Sequence, residues 1–175
     1  MVATSRRGVG WSRAARSAVV AVVLTATLTA TSACTVASRQ EPGQATASVA
    51  DALVEARSAA ETTRLTVDLL ARGRVTGPVA DTALLDQLDA LDEADRALTT
   101  LVPPDVTSSD RRTEGLTAVG DLTDVVVQAR EWVAARSGGD LAAAGAVPAD
   151  ADALLDDLAA ATDAVEQALS EAGGP

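Results

Sequence analysis

Apolar residues spaced alternately four and three apart constrain this chain more than any other feature. Val49, Leu53, Ala56, Ala60, Thr63, Val67 and Leu70 keep that rhythm without a break, and a repeat of 3.5 residues is a seam along one side of a helix that must meet another helix. Leu84, Leu88, Leu91, Leu98 and Leu101 share a second helical face, and Leu116, Val119, Leu122, Val126, Ala129 and Val133 a third. Leu155, Leu158, Thr162, Val165 and Leu169 return to the four-three spacing in a fourth. No convincing stretch alternates with the period of two that a half-buried strand requires.

Helix breakers fall between these faces. Gly73 and Gly77-Pro78 separate the first from the second. Pro103-Pro104 stops the second, because two prolines in succession cannot continue a helix. Asp105, Thr107, Ser108 and Asp110 then offer N-cap and first-turn acceptors for the third helix, which is predicted to end near Ser137-Gly138-Gly139. A short helical turn is predicted over Asp140–Ala144 before Val147-Pro148, and Gly173-Gly174-Pro175 closes the fourth helix. Four amphipathic helices on mostly short links predict an all-α, antiparallel up-down four-helix bundle, here following an N-terminal signal helix. A three-helix bundle with one loose helix is the alternative, since the Ala-rich fourth helix has the least to bury.

The material for this core is unusual. The chain has no Lys, His, Phe, Tyr, Ile or Asn, and beyond the first 33 residues Trp132 is its single aromatic. Leu, Val and Ala must therefore build the core, with close helix packing and less burial per residue than aromatic side chains give. One cysteine, Cys34, leaves no intramolecular disulfide to compensate.

Cys34 has a position that explains it. Arg6, Arg7, Arg13 and Arg16 precede an apolar run that starts at Ala18-Val19-Val20-Ala21-Val22-Val23-Leu24, turns Thr-rich and ends at Thr31-Ser32-Ala33-Cys34. A cationic start, a short apolar stretch and small residues at the end are the parts of a secretory signal. The stretch falls short of the roughly 20 residues a membrane-spanning helix needs. Residues 1–33 are accordingly expected to be a signal peptide, residues 34–47 the modified Cys and a flexible tether rich in Ser, Thr, Gln and Gly, and residues 48–172 the helical domain.

Ser32-Ala33-Cys34 resembles the bacterial lipobox, in which the modified Cys follows small residues; Thr31 stands where that motif usually has Leu. Ser5-Arg6-Arg7 faintly resembles a twin-arginine export signal, without the hydrophobic pair that normally follows. With the Ala-rich helical segments, the leader resembles those of small uncharacterised actinobacterial lipoproteins. The resemblance implies cleavage between Ala33 and Cys34, a diacylglycerol thioether on Cys34 and an acyl chain such as palmitate on the new amino terminus. Several acyl chains anchor far more firmly than one, at about 0.8 kcal/mol per buried methylene. The competing reading is an ordinary cleavage that releases a secreted protein with a spare thiol.

All 25 acidic residues follow Cys34 while four of the 14 basic ones precede it, so the mature net charge is −15. Such a surface argues against a nucleic-acid partner and against unaided adhesion to anionic lipid. Within the domain, Asp86, Asp89, Asp92, Glu93 and Asp95 form the densest carboxylate group. Helical di-metal bundles use inward Glu with a Glu-x-x-His motif; no His exists here, and Leu84, Leu88 and Leu91 claim the inward face, so these acids are expected in water, with Asp92 paired to Arg96. Asp150, Asp152, Asp156 and Asp157 lack the spacing, Gly and terminal Glu of a calcium loop and are expected to complement a helix start.

Arg72 with Arg74, and Arg111 with Arg112, are the two basic clusters; an up-down order puts them at opposite ends, not in one anion pocket. Trp132 is expected to cover core and not to serve as a partner anchor. No nucleophile elbow, phosphate loop or metal-ligand spacing is present in the sequence, so no catalytic, metal or cofactor residue is assigned and the chain is expected not to be an enzyme. The sequence-level expectation is an outward-facing membrane lipoprotein held by Cys34 that binds an envelope protein partner. A small-molecule sensor with a cavity between helices is the alternative, and a carboxylate-based enzyme the least favoured option.

Overall fold

The computed structural model describes residues 41–137 and 150–174. They form four helices: α1 Pro42–Ala71, α2 Gly77–Thr100, α3 Val106–Arg136 and α4 Ala151–Glu171. No strand occurs among the described residues. The protein is an all-α four-helix bundle.

The order is up-down. The Arg111 guanidinium, in the second turn of α3, donates to Thr46 Oγ1 in the first turns of α1 (3.3 Å), so these two helices start at the same end. Arg112 Nη1 donates to the Leu101 carbonyl just beyond α2 (3.0 Å), which places the finish of α2 there too. At the other end Gly77, opening α2, abuts Ser137, closing α3. The end where α1 and α3 begin is called the near end below, and the opposite one the far end. Going around the bundle, α1 touches α2, α2 touches α3, α3 touches α4 and α4 touches α1. Of the two diagonals only α1 against α3 closes, leaving α2 and α4 at separated corners.

That closed diagonal follows from side-chain size. Ala45, Ala52, Ala56, Ala59 and Ala60 on α1 are buried, as are Gly115, Ala118 and Ala129 on α3. Small residues let backbones approach. Eleven residues of α1 are buried against five of α2, because α1 meets three neighbours and needs more than one apolar stripe. The expected α1 seam from Val49 to Leu70 is buried at every position. Leu53, Leu84, Leu91, Leu98, Leu122, Leu154 and Leu158 fill the remaining volume with side chains that are essentially inaccessible, each contributing on the order of 1.5–3 kcal/mol by removal from water.

Two expectations are corrected. The helix starts at Pro42, not after residue 47, so residues 42–47 of the expected tether belong to the bundle, with Ala45 fully buried. Proline's fixed φ suits the first helical turn, where its missing N–H is not needed. In α4 the buried seam is Leu154, Leu158, Ala161, Val165 and Ala168 with Leu169, while Leu155 and Thr162 are only partly buried. The adjacent leucines allow two phases; the alanines at 161 and 168 select the one the protein uses. This helix contacts both α1 and α3 and is not loose. The predicted turn over Asp140–Ala144 lies outside the described residues.

The boundaries follow local chemistry. Asp105 caps α3 by accepting the Ser108 N–H (2.7 Å). α1 and α4 end in the same way: Gly73 at φ 65° and Gly173 at φ 71° adopt the left-handed conformation that glycine takes without steric cost. The Arg74 N–H reaches back to the Leu69 carbonyl (2.8 Å) and the Gly174 N–H to Leu169 (2.9 Å).

Candidate functional site

Cys34 and Ala33, together with the rest of the expected leader, lie outside the described residues. What the bundle can be asked is which of its surfaces has chemistry to offer.

The acidic run on α2 faces water. Asp86, Asp89, Asp92, Glu93 and Asp95 are all exposed while Leu84 and Leu91 are fully buried, as the helical phase requires. Arg96 binds both Asp92 and Glu93, the latter at 2.7 Å. These pairs are exposed and screened by solvent, so they support the helix only weakly. No group of three potential ligands that could hold a metal ion occurs among the described residues. Asp150 occupies the N-cap position of α4 without a side-chain cap bond, and Asp152 sits in the first turn. Both are exposed, so their influence on the helix is the electrostatic one at its positive end.

The basic clusters are spent locally. Arg72 pairs with Asp68 one turn earlier (2.7 Å), while Arg111 and Arg112 tie the near end together through Thr46 and the Leu101 carbonyl. The Nε of Arg112 is buried without a hydrogen-bond partner. Beside them, Glu114 near the start of α3 faces Glu171 at the end of α4. The hydrogen bond and repulsion from Glu171 raise the Glu114 carboxyl above its ordinary range. Glu171, which accepts from the Gln167 amide (3.2 Å), is lowered chiefly by that bond and then by Glu114. Asp105 is held below the usual carboxylate range, first by the Ser108 N–H it accepts.

A shallow groove of about 350 Å³ runs between α1 and α4 and is lined by Glu61, Arg64, Leu65, Asp68, Arg72 and Leu155. Leu65 is 57% exposed in it. The volume lies within the range of small-ligand sites, but the groove is open to solvent and one of its two cations is already paired. Trp132 is core: it is 3% exposed, with the Arg136 guanidinium 4.9 Å from its ring centroid. Together they close the far half of α3.

Sequence reasoning missed the loop between α2 and α3. Val102 is 78% and Val106 76% exposed, the two most exposed large apolar side chains among the described residues. Their signal was available as two valines flanking Pro103-Pro104-Asp105, outside every helical seam. The Glu114–Glu171 pair, by contrast, arises only when the last turn of α4 folds back beside α3. No described helix is long and apolar enough to cross a membrane. Comparison of the chain with protein-family models, with curated proteins and with solved structures found no match.

Proposed function

We propose that this protein is an outward-facing membrane lipoprotein, attached through Cys34, whose bundle is a non-catalytic module for binding another envelope component. The observation that carries the reading is the position of Cys34 directly after Ser32-Ala33, at the end of a cationic and apolar leader. The character of the bundle adds support. Its buried polar residues are Thr63, Thr66 and Ser108, with no Asp or Glu among the described residues sharing that burial. A carboxylate enzyme needs acids facing each other across a water-excluding cleft, and the facing pair Glu114 and Glu171 lies exposed at the end of the bundle.

The groove between α1 and α4 favours a second reading, a solute sensor that takes a small anionic and apolar molecule against Arg64 and Leu65. Its lining makes this the weaker reading, since Asp68 and Glu61 share the same space.

Membrane fractionation of cells producing the wild type or Cys34→Ala tests the anchor. The variant is expected in the soluble fraction and the wild type with the membrane; equal membrane retention of both would overturn the reading. Crosslinking in intact cells then separates the two functions. A protein adduct lost on charge reversal along α2 or α4 supports the binding module. Saturable binding of a small anion, abolished by Arg64→Glu, supports the sensor instead.

A further inference from the structure

We infer that the near end of the bundle, through Val102 and Val106, rests in the headgroup layer of the lipid bilayer and sets the standing orientation of the domain; this rests on the anchor reading above. Large side chains left 78% and 76% exposed in a chain with so little apolar bulk need an explanation. Looseness does not supply one.

The loop between them is fixed at both sides. The Leu101 carbonyl accepts from Arg112 (3.0 Å), Leu101 itself is buried, and Asp105 holds the Ser108 N–H (2.7 Å). Pro103 and Pro104 lock two of the intervening φ angles. The valines are thus presented on a stiff projection with little conformational entropy left to lose on contact.

The occupant follows from where the chain enters. α1 begins at this same end, its Thr46 bonded to Arg111 of α3. Six residues lie between Cys34 and Glu41, and the seven Cα-to-Cα steps give a covalent reach of at most about 25 Å. A bilayer holding Cys34 therefore stays close to the end that carries the valines. α1, with 30 residues, is about 45 Å long, so Val79 at the far end, 58% exposed, is the farther apolar side chain from an upright bundle's membrane. Attachment keeps the tip at high effective concentration at the surface, so two side chains suffice to bias orientation although they could not recruit a free protein. Electrostatics does not provide the attraction. Asp105, Asp110, Glu114 and Glu171 outnumber Arg111 and Arg112 at this end, so the contact is apolar.

The experiment uses the full lipidated chain, purified and reconstituted in phosphatidylcholine vesicles with brominated acyl chains. Val102→Cys, Val106→Cys and Val79→Cys are labelled in turn with a bimane fluorophore; the thioether on Cys34 leaves the introduced thiol as the reactive one. Quenching at 102 and 106 is expected to exceed that at 79 by about threefold or more, as for side chains at the headgroup and acyl boundary. It should also survive molar salt, where the Debye length falls to about 3 Å. Equal quenching at all three positions, or none at 102 and 106 in protein that floats with the vesicles, overturns the orientation while leaving the anchor intact. Quenching lost in molar salt overturns the apolar contact. An intact mass without diacylglycerol on Cys34 overturns the anchor reading and this inference with it.

Discussion

At the far end of the bundle the one large aromatic, Trp132, is sealed beneath Arg136, and Asp81 on α2 is bridged to Arg130 on α3 (2.8 Å). At the near end the packing is made of Ala45, Gly115, Leu98 and the buried Leu101, while Val102 of the linking loop and Val106, the first residue of α3, are turned to solvent. Val79 and Leu65 toward the far end are also exposed, at 58% and 57%, but the two most exposed large apolar side chains among the described residues belong to the near end. The same sequence chemistry thus gathers the aromatic and an interhelix ion pair at the far end and the most exposed valines at the near end.

The strongest challenge to that contrast is to exchange bulk for nothing at each end. Trp132→Ala should cost about 3–5 kcal/mol, the range for deleting a buried aromatic, read from the denaturation midpoint by circular dichroism. The double change Val102→Asp with Val106→Asp should stay within about 0.5 kcal/mol, since neither side chain packs in the folded bundle. A comparable loss from both would erase the distinction.

A smaller effect sharpens it within α1. Threonine hydroxyls along these helices donate to the carbonyl four residues back, as Thr62 does to Ser58 (2.9 Å) and Thr66 to Thr62 (2.8 Å). Thr63, fully buried between them, has no partner. Thr63→Val replaces an unsatisfied hydroxyl with a methyl of similar size and should raise stability by about 1–2 kcal/mol in chemical denaturation. A loss would mean that the hydroxyl has a hidden acceptor.

Glycines of α3 differ in their surroundings. A side chain added at Gly120 would meet nothing within 4 Å, so Gly120→Ala should gain about 1 kcal/mol of helix propensity. At Gly115, nearer the valine loop, an added methyl would lie 3.4 Å from Leu98 and 3.6 Å from Val49. These are ordinary van der Waals distances, so Gly115→Ala should gain at least as much as Gly120→Ala by adding buried contact to the same propensity, and a thermal-melt comparison of the two variants checks the ranking.

The last and smallest effects are those of pH at the near end. Asp105 is depressed in the folded state, so its stabilisation is present above the ordinary carboxylate value and is lost as pH falls through the folded one. Asp105→Ala should lower the denaturation midpoint at neutral pH and approach wild type in acid. Glu114 is raised, so at neutral pH its ionised form is unfavourable beside Glu171, and protonation relieves it. Glu114→Gln should therefore stabilise at pH 7, with the advantage fading as acid protonates the wild-type side chain.

The seam of α1 was fully legible because its large residues, Val49, Leu53, Val67 and Leu70, fix the phase and its alanines only continue it. In α4 the phase rested on a choice between Leu154 and Leu155, and helix periodicity alone does not rank adjacent leucines. The start of α1 was misplaced because Ala45 and its polar neighbours look like tether until one sees that small residues are what the tight α1–α3 diagonal demands. The outward direction of the acidic run followed from its offset against Leu84 and Leu91. The Glu114–Glu171 pair and the valine projection did not follow, since the first depends on how α4 ends and the second on a loop held by a side chain from the next helix.

Burial of Trp132 has a spectroscopic consequence. Beyond residue 33 the chain contains a single indole and no tyrosine or phenylalanine, so the intrinsic ultraviolet emission of residues 34–175 originates from one shielded position in α3. Unfolding should shift that emission to the red in a single step that reports the far half of the bundle. Whatever happens around Val102 and Val106 is optically silent unless it propagates through the core, which makes the native protein its own test of whether its two ends are coupled.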